Sequence, residues 1–237
     1  MNAKPDSKTV QQMFAEIAPR YDFLNHFLSV SVDRHWRKIA VARTGEYLKG
    51  KSSALCLDLC SGTGDLALEL NRRLQVSVVA SDFCHPMLVR GLQKVRAAKR
   101  VDVIPVIEAD SLVLPFASGT FDVATVAFGL RNIVDTAAGL AEMKRVVKTG
   151  GAAVVLEFSR PVVPVFRELF EFYFHHILPR LGGLISGQGT AYQYLPASVD
   201  RFPAQKQLAK LMESVGFKDV GYRNLSGGIA ALHWGVK

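Results

Sequence analysis

Between Ala54 and Phe158, short apolar runs alternate with amphipathic ones, and this alternation limits the fold more than any other feature of the chain. The apolar runs Ala54–Leu59, Val76–Ser81, Val101–Ile107, Phe121–Ala127 and Ala152–Phe158 have the length of strands. Asp65–Leu74, Pro86–Ala98 and Thr136–Val147 carry apolar residues at helical spacing, as in Leu140, Met143, Val146 and Val147. Gly150-Gly151 is expected to close the third helix and turn into the next strand. Parallel strands need a crossover between them, and crossover helices cover both faces of the sheet. A last pair of runs, Asp219–Tyr222 and Ile229–Val236, is joined by Ser226-Gly227-Gly228 and reads as a hairpin. The expected fold is α/β and Rossmann-like: a mostly parallel seven-stranded sheet with a terminal antiparallel hairpin. No internal repeat or change of composition marks a second domain, so residues 1–237 are expected to form one.

Composition excludes several alternatives. Hydrophobic residues make up 49% of 237 and charged residues 21%, enough for a core and too little charge for a disordered chain. No apolar run approaches the roughly 18–20 residues of a membrane span, and MNAKPDSKTV has no apolar signal-peptide region. Cys56, Cys60 and Cys84 are odd in number and sit beside apolar runs, which suits a reducing compartment. A cytoplasmic protein is expected. The net charge of +8 raises the question of an anionic partner, and Arg90, Lys94, Arg96, Lys99 and Arg100 form the densest basic stretch. A solvated helix face accounts for that stretch more simply than nucleic acid or a lipid surface.

The strongest chemical signal is Leu57-Asp58-Leu59-Cys60-Ser61-Gly62-Thr63-Gly64-Asp65, after the first strand and opening the first helix of the alternation. Gly62, Gly64 and Ala67 satisfy a loose dinucleotide pattern, and Asp82 follows Gly62 by twenty residues at the end of the second strand. A strand, a glycine turn, a helix, a strand and an acid together point to an adenosine-containing cofactor whose ribose hydroxyls Asp82 would take. A dinucleotide would set its pyrophosphate over the turn, where Asp58 and Asp65 would flank it with like charge. S-adenosylmethionine carries a sulfonium and an ammonium in place of phosphate, so two acids suit it; Asp65 also complements the helix dipole by itself. Asp58, Gly62, Thr63, Gly64 and Asp82 are therefore the first cofactor candidates. Asp110-Ser111, after the third strand, is the natural place for the adenine. Phe128-Gly129-Leu130-Arg131-Asn132 follows the fourth strand and should project at the carboxyl end of the sheet, with Arg131 and Asn132 facing the cofactor.

Two segments stand outside the sheet pattern. Val10–Leu28 places Met13, Ile17, Tyr21, Leu24 and Leu28 on one helical face, although Pro19 should break or restart it. Val162–Ile185 is aromatic and aliphatic, interrupted by Pro179 and Gly182-Gly183, and could cover a site. His175, His176 and His233 read as packing or cap residues. Cys56 and Cys60 flank the glycine turn, and no metal site is expected. No nucleophile elbow or P-loop occurs.

The motifs also carry a family resemblance. LDLCSGTGD (57–65), Asp82, LPF (114–116), FDV (121–123), FGLRN (128–132) and LEFSRP (156–161) resemble the ubiquinone/menaquinone-biosynthesis C-methyltransferases. So do YDFLN (21–25) with Arg34-His35-Trp36-Arg37, AYQYLPASVDRFPAQ (191–205) and GIAALHWGVK (228–237), so nearly the whole chain is covered. The resemblance implies a class I S-adenosylmethionine-dependent methyltransferase fold, an N-terminal helical cap over 10–48 and a helical lid inserted at 160–200. It implies C-methylation of a polyprenylated quinol ring, demethylmenaquinol first, with Thr63, Asp82, Asp110 and Ser111 on the cofactor. Many members have alanine at the Ser111 position and serine at the Ala127 position, and Ala127 offers no side-chain hydrogen bond. Arg131 and Asn132 are expected to stabilise the quinol oxygen, and Tyr192, Tyr194 and Arg201 to hold the ring. The insoluble tail of such a substrate implies transient docking at the inner face of the cytoplasmic membrane; a homodimer stays open and no nucleic acid is expected. Rival readings are a methyltransferase for another small aromatic or for nucleic acid, and a dinucleotide-dependent reductase.

Overall fold

The computed structural model describes residues 6–20, 32–174 and 189–237. Seven strands form one sheet: β1 (Leu55–Leu59), β2 (Ser77–Asp82), β3 (Val106–Glu108), β4 (Phe121–Ala127), β5 (Val147–Phe158), β6 (Lys218–Leu225) and β7 (Ala230–Val236). Their order is β3-β2-β1-β4-β5-β7-β6. Strands β1 to β5 run parallel, and β7 runs antiparallel between β5 and β6. The order reverses between β1 and β4. In an open α/β sheet the crevice for a ligand lies there, beyond the carboxyl ends of the strands.

Both faces of the sheet are covered, because each strand presents alternate residues to opposite sides. Cys56, paired with Val78 of β2 and Val123 of β4, belongs to one core together with Val154 and Leu156. Helices α2 (Val32–Leu48) and α3 (Asp65–Leu74) close that core with Trp36, Ala40, Leu66 and Leu70; Val95 of α4 (His85–Ala97) joins them. Leu57, Leu59, Ala124, Val126 and Val155 face the other way. There they meet Leu140 and Met143 of α5 (Thr136–Val146) and Leu208 and Met212 of α8 (Gln205–Ser214). Each such buried aliphatic side chain stabilises the fold by roughly 1.5–3 kcal/mol.

Several expected boundaries move, each for a local reason. The third strand begins at Val106 rather than Val101. Val78 and Ala80 still donate their amides to the carbonyls of Val103 and Pro105, but Pro105 has no N–H with which to extend the ladder. The fifth strand starts at Val147, before the glycine pair. Gly150 lies inside it at φ 75°, and a Cβ on Gly151 would come within 2.5 Å of the Asp122 carbonyl, so the pair shapes an irregular strand rather than a helix end.

The first helix, α1 (Ser7–Ile17), is capped by Asp6, whose side chain accepts the Thr9 amide at 2.7 Å. It gives way at Ala18–Arg20 to a 3-10 turn, as Pro19 requires. Its fully buried residues are Val10 and Ala18, while Met13, Phe14 and Ile17 are partly buried. Tyr21, Leu24, Leu28 and the YDFLN motif lie outside the described residues. The aromatic segment opens as α6 (Pro164–Phe172), and Phe174 packs against Val199 of α7 (Gly189–Arg201). His175, His176, Pro179, Gly182 and Gly183 lie outside the described residues. Among the described residues, no helix is long and apolar enough to cross a membrane.

Candidate active site

The glycine turn leaves β1 at the reversal point of the sheet. Cys60, Gly62 and Gly64 all have positive φ, at 49°, 55° and 79°, and Gly64 caps α3. Glycine adopts that region without a Cβ penalty, so the turn can be this tight. It is held from the neighbouring strand: the Ser61 amide donates to the Ser81 carbonyl at 3.0 Å, and the Gly62 amide to Asp82 Oδ2 at 2.8 Å. Asp82 also accepts the Cys84 amide on Oδ1 at 2.8 Å, and burial pushes its carboxyl up from the ordinary range. The acid twenty residues on is thus bonded to the turn that precedes it.

A cavity with an empty volume of about 720 Å³, open solvent at its mouth included, lies over this end of the sheet. Asp82, Asp110, Ser111 and Asn132 supply its polar wall, and Phe14, Phe83, Met87, Leu112 and Phe128 its apolar one. Asp110 Oδ1 accepts the Leu112 amide at 2.8 Å, and Ser111 Oγ lies 3.5 Å from Cys60 Sγ. The apolar wall was not legible in the sequence. Phe14 comes from α1 and Met87 from α4, and only their docking brings them together.

A smaller pocket adjoins the first across Cys60, Gly62 and Phe128 and is lined by Arg37, Asp58, Thr63 and Asp65. Asp58 is 1% exposed. Its Oδ1 accepts the Thr125 hydroxyl at 3.0 Å, while Oδ2 is buried with no hydrogen-bond partner among the described residues. Burial pushes its carboxyl up to about 7. A buried carboxylate oxygen without a donor carries a large desolvation cost, which an incoming N–H or ammonium would relieve. Asp65 does not behave as expected from the sequence: Lys94 Nζ bonds it and Arg37 Nη1 lies 3.8 Å away. The turn is therefore not flanked by two free acids, and one of the five cations in the basic stretch is turned into the site. Lys94 Nζ also donates to Thr63 Oγ1 at 3.1 Å.

The FGLRN segment splits its two polar residues. Asn132 lines the large cavity, and its Oδ1 accepts the Tyr194 hydroxyl at 3.1 Å. Arg131 does not line the cavity, contrary to expectation. It is 7% exposed, and its guanidinium pairs with Glu157 at 3.1 Å and donates to the Phe128 carbonyl, while Nε reaches Ser198 Oγ at 3.3 Å. Glu157 sits on β5 directly beside this turn and also accepts the Arg131 amide at 3.1 Å, so the guanidinium is drawn back into the fold. Tyr194 is half-buried, and burial pushes its phenol up. Arg201 is exposed at the end of α7, and Tyr192 belongs to the same helix with its side chain outside the described residues. His233 is buried, bonds the Gln205 carbonyl through Nε2 at 2.8 Å, and is pushed down to about 4 by burial, in keeping with a packing role. No group of three or more metal-ligating side chains occurs among the described residues.

The glycine turn, the buried Asp82 and the partnerless Asp58 oxygen fit an adenosyl amino acid, and similar proteins bear on which one. The model of the ubiE/COQ5 methyltransferase family matches residues 1–237. The chain is 46% identical over 230 residues to the ubiquinone/menaquinone biosynthesis C-methyltransferase UbiE of Citrifermentans bemidjiense, covering 96% of each. It is 47% identical over 231 residues to the demethylmenaquinone methyltransferase of Deinococcus radiodurans, covering 97% of this chain and 93% of that protein. Among solved structures, an S-adenosylmethionine-dependent methyltransferase from Aquifex aeolicus shares the fold at TM-score 0.54 and 16% identity, over 80% of this chain and 85% of that one. A putative one from Methanococcus maripaludis does so at 0.61 and 17%, over 100% and 96%. The chain is thus an S-adenosylmethionine-dependent methyltransferase, and it belongs to the ubiE/COQ5 methyltransferase family.

Proposed function

We propose that the protein methylates a ring carbon of a polyprenylated quinol, with demethylmenaquinol as the first substrate. The observation that carries this reading is the 47% identity, over nearly the whole of both chains, to a demethylmenaquinone methyltransferase. The 46% identity to a UbiE protein keeps a benzoquinol ring beside it as the second substrate to assay. Residues 1–237 act as one domain in this reading, with 10–48 as the cap and 160–200 as the lid and tail channel. The exposed basic residues would favour transient contact with anionic lipid at the inner face of the cytoplasmic membrane.

The residues divide by what they can do. Asp82 is held by two backbone amides and is suited to the ribose hydroxyls; Asp110 and Ser111 stand where the adenine would lie. Gly62, Thr63 and Gly64 shape the turn, and Asp58 offers its partnerless oxygen to the ammonium. Ala127 lines the smaller pocket with no polar side chain to offer. When bound, S-adenosylmethionine supplies an activated methyl group, so positioning is the protein's main contribution.

A quinol carbon becomes nucleophilic as its ring hydroxyl loses a proton. Tyr194 spends its proton on Asn132 Oδ1 and one Asn132 amide N–H points to the Phe128 carbonyl at 3.5 Å, which leaves the other N–H to meet the developing oxyanion. Arg131 stays protonated and is turned away, so it acts by holding the Phe128 carbonyl and Glu157 and thereby the turn that carries Asn132. Neither residue is a base, and the proton leaves through water. Tyr192 and Arg201 stand on the same helix as Tyr194 and are proposed to hold the ring or its tail.

The test is methyl transfer from labelled S-adenosylmethionine to chemically reduced demethylmenaquinol and to a demethylated benzoquinol, each in detergent. Label is expected in the naphthoquinol product. Labelling of neither ring by a protein that binds S-adenosylhomocysteine would overturn the quinol reading. Co-sedimentation with anionic liposomes at low salt tests the lipid contact.

A further inference from the structure

The smaller pocket has a feature that the glycine turn does not account for. Arg37 comes from α2, a helix that precedes the sheet, and reaches the pocket floor beside Asp58, Thr63 and Asp65. Arg37 is 9% exposed, and its guanidinium is braced from its own helix by Asp33, four residues earlier, which accepts a hydrogen bond from Nη1. Among the described residues, no hydrogen bond engages its Nε or Nη2, and its Cζ lies 5.9 Å from the centre of the Phe128 ring. The pocket therefore presents a braced cation with donors to spare. The same pocket presents the buried Asp58 oxygen with no donor.

Arg37 and Lys94 are matched by Asp33 and Asp65, which they contact. A ligand tail bearing an ammonium and a carboxylate on adjacent atoms would meet Asp58 and Arg37 together. We infer that Arg37 reads the carboxylate of the cofactor's amino-acid tail while Asp58 reads its ammonium, so that α2 completes the cofactor site. This rests on the S-adenosylmethionine assignment and adds a residue from outside the glycine motif. It also gives Asp33 a role as a positioning residue: it keeps the guanidinium in place when the pocket is empty.

The inference separates the two ends of the ligand, so its test compares ligands with different tails. Calorimetry would measure S-adenosylhomocysteine, its decarboxylated analogue (amine but no carboxylate) and methylthioadenosine, which has neither. Charge-assisted hydrogen bonds of this kind are worth about 10- to 100-fold in affinity. The wild-type protein is expected to bind S-adenosylhomocysteine better than the decarboxylated analogue by that factor. In Arg37→Gln the two should bind alike, with methylthioadenosine unchanged within about twofold of wild type. Arg37→Lys keeps the charge that Asp33 needs and should retain the fold, with intermediate discrimination. Two results overturn the inference: wild-type protein binding the two amines equally, or either Arg37 variant keeping full wild-type discrimination. Binding of none of the three ligands by folded wild-type protein would instead overturn the cofactor assignment beneath it.

Discussion

Arg37 and Arg131 are both less than 10% exposed and both pair with a carboxylate, yet they are held in different ways. Arg37 is braced by an acid on its own helix and keeps donors toward a pocket. Arg131 is enclosed by Glu157, the Phe128 carbonyl and Ser198, and its Nε and Nη1 donors are spent within the protein. The difference lies in where the counter-charge sits. Asp33 lies one helical turn back and leaves the far side of the guanidinium open, whereas Glu157 lies on the adjacent strand and draws Arg131 inward. A buried arginine beside a site is thus a ligand contact or a strut according to its partner.

That contrast can be broken by mutation, and the largest effect is expected at the strut. Arg131→Ala leaves Glu157 as an unpaired buried charge and should cost about 3–5 kcal/mol in urea unfolding. A loss below about 1 kcal/mol would mean that the pair is no strut.

Next comes the turn that the strut supports. Asn132→Ala removes one donor from the quinol oxygen and should lower kcat by about 100-fold. Tyr194→Phe, which frees Asn132 to rotate, should lose less. In both variants the affinity for S-adenosylhomocysteine should stay at the wild-type value; a parallel fall would place Asn132 on the cofactor instead.

That turn meets the glycine turn at Gly129, where a Cβ would sit 2.2 Å from the Cys60 Cβ. Gly129→Ala should therefore push the two turns apart and destabilise the protein by about 1–3 kcal/mol. Thermal melts would show it, and an unchanged Tm would mean that the turns can separate freely.

The smallest effect concerns pH in the pocket that Arg37 lines. Burial raises Asp58 to about 7, so the empty folded protein holds a proton there that the unfolded chain releases near pH 4. This contribution to stability is full below about pH 4 and is lost as pH rises through 7. A ligand ammonium favours the carboxylate and expels that proton, so affinity should rise with pH, by at most tenfold per unit, and level off above about 7. Calorimetry at pH 5.5, 6.5 and 7.5 would measure it, and Asp58→Asn should flatten the slope. A slope that persists in that variant would assign the proton to another group.

Much of this molecule was legible one segment at a time. The run Asp65–Leu74 was read to the residue because its apolar stripe and glycine cap are local. The glycine turn was legible for the same reason, since positive φ is a property of single residues. The third strand was overextended because Val101 and Val103 look like strand residues, while the limit came from pairing with β2 across Pro105. The stripe of α1 was legible only in part: Met13 and Ile17 are partly buried, while the cavity took Phe14 and the core took Val10 and Ala18.

The sequence by itself determined the doubly covered sheet and the acid that serves the turn. Each follows from short-range periodicity and from what a backbone without Cβ can do. Only the tertiary structure decided that Lys94 takes Asp65, that Arg131 turns inward, and that Arg37 and Asn132 face the cavities. Those outcomes are contests between charges 26 to 29 residues apart or on separately docked helices. A buried charge goes to the partner that desolvates it least, and only packing brings the competitors within reach of one another.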